Sequence, residues 1–258
     1  MIKATVLGSG TSQGVPIIGC KCAVCSSHDR HDKRLRSSLL VSQNGTTVVI
    51  DAGPDFRYQM LRENVDDIDA IIFTHGHKDH TGGLDDVRAF NYVLKRSIDI
   101  YANAETMNTI RKDYDYAFAE HPYPGVPEIT PHVITGDEDF TIGRMTLTPV
   151  KGRHFMMEVL GYRIGPLGYI TDMNRIEKHE TDKLKGVDTL IINALRHEKH
   201  ISHFSLQEAL EVIETIKPRQ AFLTHISHQM GLHSQISGEL PAGVAPAYDG
   251  MTIEIPDR

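Results

Sequence analysis

Four side chains that can bind metal stand within six positions of this sequence, at His75, His77, Asp79 and His80. They follow an apolar run at residues 68–73 that is typical of a buried strand, and residues 84–94 after them predict a helix. Because alternate side chains of an extended segment share a side, His75 and His77 can bind one ion, and after a bend Asp79 and His80 can face a second. Imidazole and carboxylate suit zinc, manganese or iron, and two such ions form a clamp for hydrolysing phosphodiesters. A loop that is merely rich in histidine is the alternative.

The motif His-x-His-x-Asp-His at residues 75–80 resembles the signature of the metallo-β-lactamase superfamily. The resemblance implies an α/β fold of that type, a four-layer αββα sandwich in which two mixed β-sheets are flanked by helices. With 258 residues, we expect one hydrolase domain over residues 1–258. The superfamily carries many reactions, so the motif predicts the fold and the metals before the substrate.

Residues that follow other predicted strands complete the two metal sites. His154 follows residues 145–150, at the position where the superfamily carries a third histidine for the first ion. Asp172 ends the run at 167–171, and because a buried carboxylate is costly unless it is paired or binds metal, we expect it to bridge the ions. His225 ends another strand. The predicted ligands are His75, His77 and His154 for the first ion, Asp79, His80 and His225 for the second, and Asp172 for both.

Three features beside these ligands have more than one interpretation. For Asp51, after a predicted strand, the superfamily resemblance implies a hydrogen bond to a ligating imidazole, and a cap for a helix at 54–62 is an equal alternative. The glycine-rich loop 8–16 can bring backbone N–H groups to a phosphate or form a simple turn. The basic run 28–36 predicts a solvated loop, with Arg34 or Arg36 on substrate phosphate as the lesser alternative.

The three cysteines, Cys20, Cys22 and Cys25, lie within six positions. An odd, tightly spaced set in a chain with no recognisable secretory signal is a poor disulfide framework and a good cluster for a soft metal, with three buried free thiols as the alternative. A closed tetrahedral zinc site needs one more ligand. We expect it to be His228, so that one loop ties a structural zinc to the catalytic pair through His225.

Three histidines, His197, His200 and His203, recur at intervals of three before a predicted helix at 206–217. They suggest either another metal site or a proton donor. Because the ligand set is complete without them, we favour a donor and choose His203, which is next to the helix N-terminus. The predicted catalytic residues are therefore His203 and the ligand Asp79. A hydroxide shared by the two ions would attack phosphorus, and the histidine would protonate the leaving oxygen.

Segments spread from end to end resemble the PhnP-like family of phosphoribosyl 1,2-cyclic phosphate phosphodiesterases. They are residues 14–16, 19–25, 223–229 and 249–251. The resemblance implies two catalytic divalent ions, manganese or zinc, one structural zinc, a small phosphorylated substrate, and a general-acid role for His203. Residues 104–130 do not match clearly, and we expect them to lie over the mouth of the site and influence substrate choice.

The tRNA 3′-processing endonucleases, RNase Z, are the main alternative, because they share the seven dimetal ligands. They usually grip tRNA with a basic arm, whereas this sequence has no such insert and a formal net charge of -7, which argues against nucleic acid as a partner. Asp172 disfavours a β-lactamase proper, and His77 stands where flavodiiron proteins carry glutamate. A metal-dependent sensor domain would have little use for an open dimetal site.

The expected cellular location follows from the distribution of apolar residues along the sequence. No apolar stretch approaches the length of a membrane span, and the N-terminal residues 1–7 pass directly into a predicted strand. We therefore expect a cytoplasmic protein that does not bind membranes, and a homodimer is left open.

Overall fold

The computed structural model describes residues 1–121 and 123–257, so Pro122, in the segment 104–130, and Arg258 lie outside the described part of the chain. The strands are β1 (Ile2–Gly8), β2 (Ser38–Gln43), β3 (Thr46–Ile50), β4 (Ala70–Ile72), β5 (Ile98–Ala102), β6 (Ile129–Val133), β7 (Phe140–Ile142), β8 (Met145–His154), β9 (Met157–Ile164), β10 (Leu167–Ile170), β11 (Thr189–Asn193), β12 (Gln220–Thr224), β13 (Val244–Pro246) and β14 (Thr252–Ile255). The α-helices are α1 (Ala23–Ser26), α2 (Phe56–Arg62), α3 (Lys78–Thr81), α4 (Arg88–Leu94), α5 (Ala104–Asp113), α6 (Lys178–Lys183), α7 (Leu206–Ile216) and α8 (His233–Glu239).

The strands form two seven-stranded sheets of matching design. One has the order β14-β1-β2-β3-β4-β5-β6, and the other β13-β12-β11-β10-β9-β8-β7. In the first sheet the pairs from β14 to β3 are antiparallel and those from β3 to β6 are parallel. The second repeats this pattern from β7, antiparallel to β10 and parallel to β13. Both sheets are therefore mixed, as predicted.

Three separate apolar cores produce the four layers. Alternate residues of β4 show the principle, because Ile72 belongs to the core between the sheets and Ile71 to the core under the helices. Such a strand is covered on both faces, so it reads as an unbroken apolar run. Phe56 and Phe90 anchor α2 and α4 on the outer face of the first sheet. Helices α7 and α8 cover the second sheet in the same way, which confirms the αββα sandwich.

Two predicted elements differ from the structure. Strand β8 runs to His154, four residues beyond the predicted end at 150, because its antiparallel pairing with β9 continues to the pair His154↔Met157. His154 therefore ends a strand instead of following one. The predicted helix 84–94 is a 3₁₀ turn, Leu84–Val87, followed by α4. Helix α7 begins at a capping box in which Ser205 and Glu208 satisfy each other's backbone N–H groups.

The basic run 28–36 is not simply a solvated loop, because Asp32 and Arg34 are buried. The Arg34 guanidinium donates to Ser9 Oγ and to the carbonyl oxygen of Ala247, so it is engaged inside the protein and does not offer its charge to substrate phosphate. Arg36 forms an ion pair of 3.0 Å with Asp55. The run holds the N-terminal loop against the C-terminal segment.

Crossing a bilayer takes a long apolar helix, and none of the helices in residues 1–121 and 123–257 meets that requirement.

Candidate metal centres

The seven predicted dimetal ligands come from strand ends of both sheets and meet at one edge of the sandwich. Asp79 and His80 lie on α3, which follows β4. Asp172 follows β10, and His225 follows β12. Side chains at this edge form three groups that could hold a metal ion, and within each group the ligand atoms lie within 4.8 Å of one another. Asp172 belongs to all three groups. The groups are His75, His80 and Asp172; His154, Asp172 and His203; and Asp79, Asp172 and His225.

The ligands predicted for the first ion form an imidazole cluster. His75 Nε2 lies 3.1 Å from His77 Nδ1. The ring of His154 lies 5.0 Å from that of His77 and 5.6 Å from that of His75, centroid to centroid. His154 Nδ1 is 3.0 Å from the backbone oxygen of Asp172, which fixes this nitrogen as the donor and leaves Nε2 as the metal-binding atom.

The ligands predicted for the second ion surround an unsatisfied nitrogen. His80 Nε2 is buried and has no hydrogen-bond partner in the described part of the chain. It nevertheless lies 3.2 Å from Asp79 Oδ2 and 3.2 Å from Asp172 Oδ2, while His225 Nδ1 is 3.1 Å from the same Asp172 oxygen. Ligands at 2.0–2.2 Å from a tetrahedral metal stand about 3.4 Å apart. These residues therefore fit a divalent ion.

Asp51 holds His80 from behind. Its Oδ2 lies 2.7 Å from His80 Nδ1, and both its oxygens accept hydrogen bonds from Thr74. This contact confirms the predicted hydrogen bond between Asp51 and an imidazole of the predicted ligand set. The alternative role as a helix cap is wrong, because the residue at the N-cap of α2 is Asp55.

The charges around the site favour a cation. Burial opposes the charged form of His80, but Asp172, Asp51 and Asp79 more than offset it and raise its pKa well above the usual value. Burial would raise the pKa of Asp172, yet His225 and His80 hold it well below its usual range. Burial also lowers the pKa of His75, which keeps that imidazole neutral, the form that binds metal.

Of the three loop histidines, His203 is the one that reaches the ligand set. It is buried, with its ring 4.6 Å from that of His154 and 4.8 Å from that of His225, and its Nδ1 is 3.7 Å from Asp172 Oδ1. His200 lies 5.2 Å further out, ring to ring, and His197 Nε2 is 3.0 Å from the backbone oxygen of Met230. Position alone lets His203 be a donor or a ligand.

The cysteine cluster gathers around one imidazole. His228 Nδ1 lies 3.4 Å from Cys20 Sγ, 3.3 Å from Cys22 Sγ and 3.6 Å from Cys25 Sγ. These spacings fit a tetrahedral zinc site with three thiolates and one nitrogen, in which neighbouring ligands stand about 3.6 Å apart. Hydrogen bonds from the Cys25 backbone N–H and His228 lower the pKa of Cys22 to about 6, whereas burial raises the pKa of Cys25 to about 11.

Two hydroxyls that the sequence did not single out hold His225. Ser37 Oγ lies 3.1 Å from His225 Nδ1, and Thr11 Oγ1 lies 3.3 Å from Nε2. Thr11 belongs to the glycine-rich loop, so that loop contacts a predicted ligand. Asp249 fixes the same loop by accepting hydrogen bonds from the backbone N–H and the hydroxyl of Ser9. In the sequence, only the glycine-rich loop around Thr11 pointed to a role for that residue at the site. Nothing in the sequence pointed to Ser37.

In the segment 104–130, helix α5 and Tyr114 lie beside the histidine motif. Helix α5 packs against Gly76, where an added Cβ would stand 3.1 Å from the Thr109 side chain. Lys78 pairs with Asp113 at 2.7 Å, and the Tyr114 hydroxyl donates to the backbone oxygen of Thr81. The segment therefore supports the metal-binding loop from one side.

The sequence is similar to those of known proteins. The family "Beta-lactamase superfamily domain" matches residues 46–226. An octanoyltransferase of Porphyromonas gingivalis is 39% identical over 259 residues, which is 100% of this chain and 52% of that protein. The chain thus spans about half the length of this relative.

Two solved structures share the fold over nearly the whole chain. A crystal structure described as a new diphosphatase from the PhnP family is 40% identical, covers 99% of this chain and 98% of its own, and has a TM-score of 0.92. The short form of human tRNase Z is 18% identical, with 98% and 99% covered and a TM-score of 0.71. At that identity the second likeness shows the fold alone.

Proposed function

Because the chain belongs to the β-lactamase superfamily and is a metal-dependent hydrolase of that fold, we propose that it hydrolyses a small phosphodiester, such as phosphoribosyl 1,2-cyclic phosphate. The observation that carries the proposal is the position of Asp172, whose carboxylate is shared by three groups of ligand atoms. A carboxylate shared in this way suits two neighbouring ions, which clamp the oxygens of a phosphoryl group. The PhnP-family neighbour at 40% identity supports a phosphorus substrate.

His75, His77 and His154 would hold one divalent ion, manganese or zinc, and Asp79, His80 and His225 the other. When bound, the ions supply an acidified water and neutralise charge on the phosphoryl oxygens. The residues of the chain prepare this site. Asp51 fixes the ring of His80 so that Nε2 faces Asp79 and Asp172. The backbone oxygen of Asp172 does the same for His154 through Nδ1. A separate zinc would be held by Cys20, Cys22, Cys25 and His228.

His203 would protonate the leaving oxygen. Burial, with help from His225, lowers the pKa of His203 to about 3, so the imidazole of the free protein is neutral at pH 7. A donor must carry the proton when the bond breaks. A phosphodiester anion beside the ring would favour the imidazolium form, since an opposite charge within a few ångströms raises the pKa of histidine. On substrate binding His203 would thus take up a proton from solvent and could then give it to the leaving oxygen.

A diphosphate ester is the second candidate substrate, because the 40% identical neighbour is described as a diphosphatase. The same clamp suits either substrate, since both place an anionic phosphorus between the ions. The RNase Z alternative is weaker, because the formal net charge is -7 and the likeness to human tRNase Z is limited to the fold. Octanoyl transfer is not proposed, because the relative of that name has about as much chain again outside the match.

A side-by-side assay tests the proposal. Purified protein loaded with manganese or zinc is given phosphoribosyl 1,2-cyclic phosphate, 2′,3′-cyclic nucleotides, a diphosphate ester and pre-tRNA. We expect turnover of the small cyclic phosphodiester that is lost after chelation and in Asp172→Ala. Asp69→Ala is a matched control, because Asp69 is a carboxylate outside the ligand groups. Cleavage of pre-tRNA alone would replace the proposal with the RNase Z reading, and turnover of the diphosphate alone would favour the second candidate.

A further inference from the structure

A cavity of about 450 Å³ opens beside the first group of imidazoles. His77, His154 and Ser202 line it, and its other walls are apolar side chains. Phe155 is 55% exposed, Met156 77% and Ile201 64%. Large apolar side chains grouped at a surface usually mark a place where something binds. These apolar side chains line the same cavity as His77 and His154, which are predicted to bind the first metal ion. The apolar wall consists of Phe155, Met156, Met157 and Ile201.

The wall is built and held at a cost. Phe155 has a φ of +56°, a left-handed conformation that bulky side chains rarely adopt. Its backbone N–H donates to Asn174 Oδ1 at 3.0 Å, and Asn174 Nδ2 donates to the backbone oxygen of Ile201 at 2.8 Å. Asn174 therefore joins the β8–β9 turn to the loop that carries Ile201. Glycine or asparagine would suit this turn better, so turn geometry does not explain the aromatic ring.

We propose that this cavity binds an apolar substituent of the phosphorus substrate, about the size of an aromatic ring or a short alkyl chain. The ring of a 2′,3′-cyclic nucleotide or of an aryl ester is such a group, and phosphoribosyl 1,2-cyclic phosphate lacks one. The inference rests on the proposed function, because it places the phosphoryl group among the imidazoles and carboxylates and the substituent against Phe155. The anionic phosphoryl group of such a substrate would lie at the polar ligands, and its apolar substituent would lie against the apolar wall. Polar groups at one end fix the anion, and an apolar wall removes the remaining surface from water.

Binding of two phosphonates by the metal-loaded protein tests the inference. Phenylphosphonate and methylphosphonate carry the same anionic group and differ in the apolar part. By calorimetry we expect the parent protein to bind phenylphosphonate about tenfold more tightly, from the additional apolar area that is buried. Phe155→Gly should bring this ratio close to one while leaving the affinity for methylphosphonate unchanged. Equal affinities in the parent, or a ratio that the substitution does not alter, would overturn the inference.

Two comparisons separate this inference from misfolding and from the proposed reaction. Phe155→Gly suits the positive φ, so its melting temperature should not fall, and Ile201→Ala should reduce the same ratio. Val93 is an exposed apolar residue on α4 outside the cavity, so Val93→Ala should leave the ratio unchanged.

Because calorimetry needs no turnover, a retained preference for phenylphosphonate without phosphoester hydrolysis would refute the proposed reaction alone. Hydrolysis without the preference would refute the cavity alone, and failure to bind either phosphonate would refute both.

Discussion

At the scale of single residues, the site depends on how the two nitrogens of each imidazole are divided. His80 gives Nδ1 to Asp51 and keeps Nε2 for Asp79 and Asp172. His154 gives Nδ1 to the backbone oxygen of Asp172 and keeps Nε2 free to bind metal. A ring fixed through one nitrogen presents the other in a defined direction, which raises metal affinity.

Asp51→Asn should weaken binding at the dimetal site by about 10–100-fold, because the amide no longer supplies a carboxylate to His80. Asparagine tolerates the φ of +66° at this position, so the backbone should keep its shape. Competition with a coloured chelator measures the affinity. Asp55→Asn serves as the control, since Asp55 pairs with Arg36. Unchanged affinity in Asp51→Asn would mean that the contact does not tune the metal.

His203→Ala should lower the turnover of a cyclic phosphodiester by a hundredfold or more with unchanged metal content, because the leaving oxygen loses its proton donor. His200→Ala, one ring further from the ligands, should have a much smaller effect. Turnover is measured as formation of the phosphate monoester, and metal content by elemental analysis. Loss of a metal ion from His203→Ala would make this residue a ligand.

At the scale of elements, sequence prediction was most accurate where a strand is covered on both faces. The predicted run 167–171 forms β10, Leu167–Ile170, within one residue of its expected end, and its side chains pack into the cores on both faces. The end of β8 could not be predicted, because it depends on pairing with β9. The burial of Arg34 and the contacts of Ser37 and Asn174 were also beyond prediction, because their partners are distant in the sequence.

Cys22→Ser should remove one metal equivalent per chain and reduce stability, with the dimetal pair retained at first. The reason is local, because Cys22 lies 3.3 Å from His228 Nδ1 and caps α1. Elemental analysis and thermal unfolding check both effects. Ser26→Ala on the same helix is the control, since Ser26 is exposed and outside the ligand group. Equal metal counts in Cys22→Ser and the parent would discard the structural site.

Zinc uptake by the cysteine cluster should release protons at pH 7. Cys22, with a pKa of about 6, is already mostly a thiolate at that pH, whereas Cys25, with a pKa of about 11, is protonated and must lose its proton to bind. Release from Cys25 should persist up to about pH 11, and below pH 6 protons compete with zinc at Cys22 as well. An indicator dye in weak buffer measures the release after zinc is added to metal-free protein. Zinc uptake without proton release would contradict the assignment.

At the scale of the whole molecule, the predicted dimetal ligands come from both sheets. His75 and His80 follow β4 of the first sheet, whereas Asp172 and His225 follow β10 and β12 of the second. Both sheets must therefore be docked before all ligands can meet, and an ion that binds here favours the docked state over the unfolded chain.

Removal of the metals should lower the melting temperature. At a free metal concentration one hundred times the dissociation constant, one ion adds about 2.7 kcal/mol to the free energy of unfolding. Thermal unfolding at increasing metal concentration checks this, with magnesium as a control because it binds weakly to imidazole. A melting temperature independent of zinc and manganese would mean that the ions do not bridge the sheets.

The distribution of the ligands along the chain has a consequence for synthesis on the ribosome. His75 is made early and His225 late, and β1 waits for β14 to pair with it. At 5–20 residues per second, the early histidines are exposed for roughly ten seconds or more before Asp172 and His225 arrive. During that interval a nascent chain holds an incomplete set of ligands, so the predicted dimetal set can be loaded only after His225 has been made.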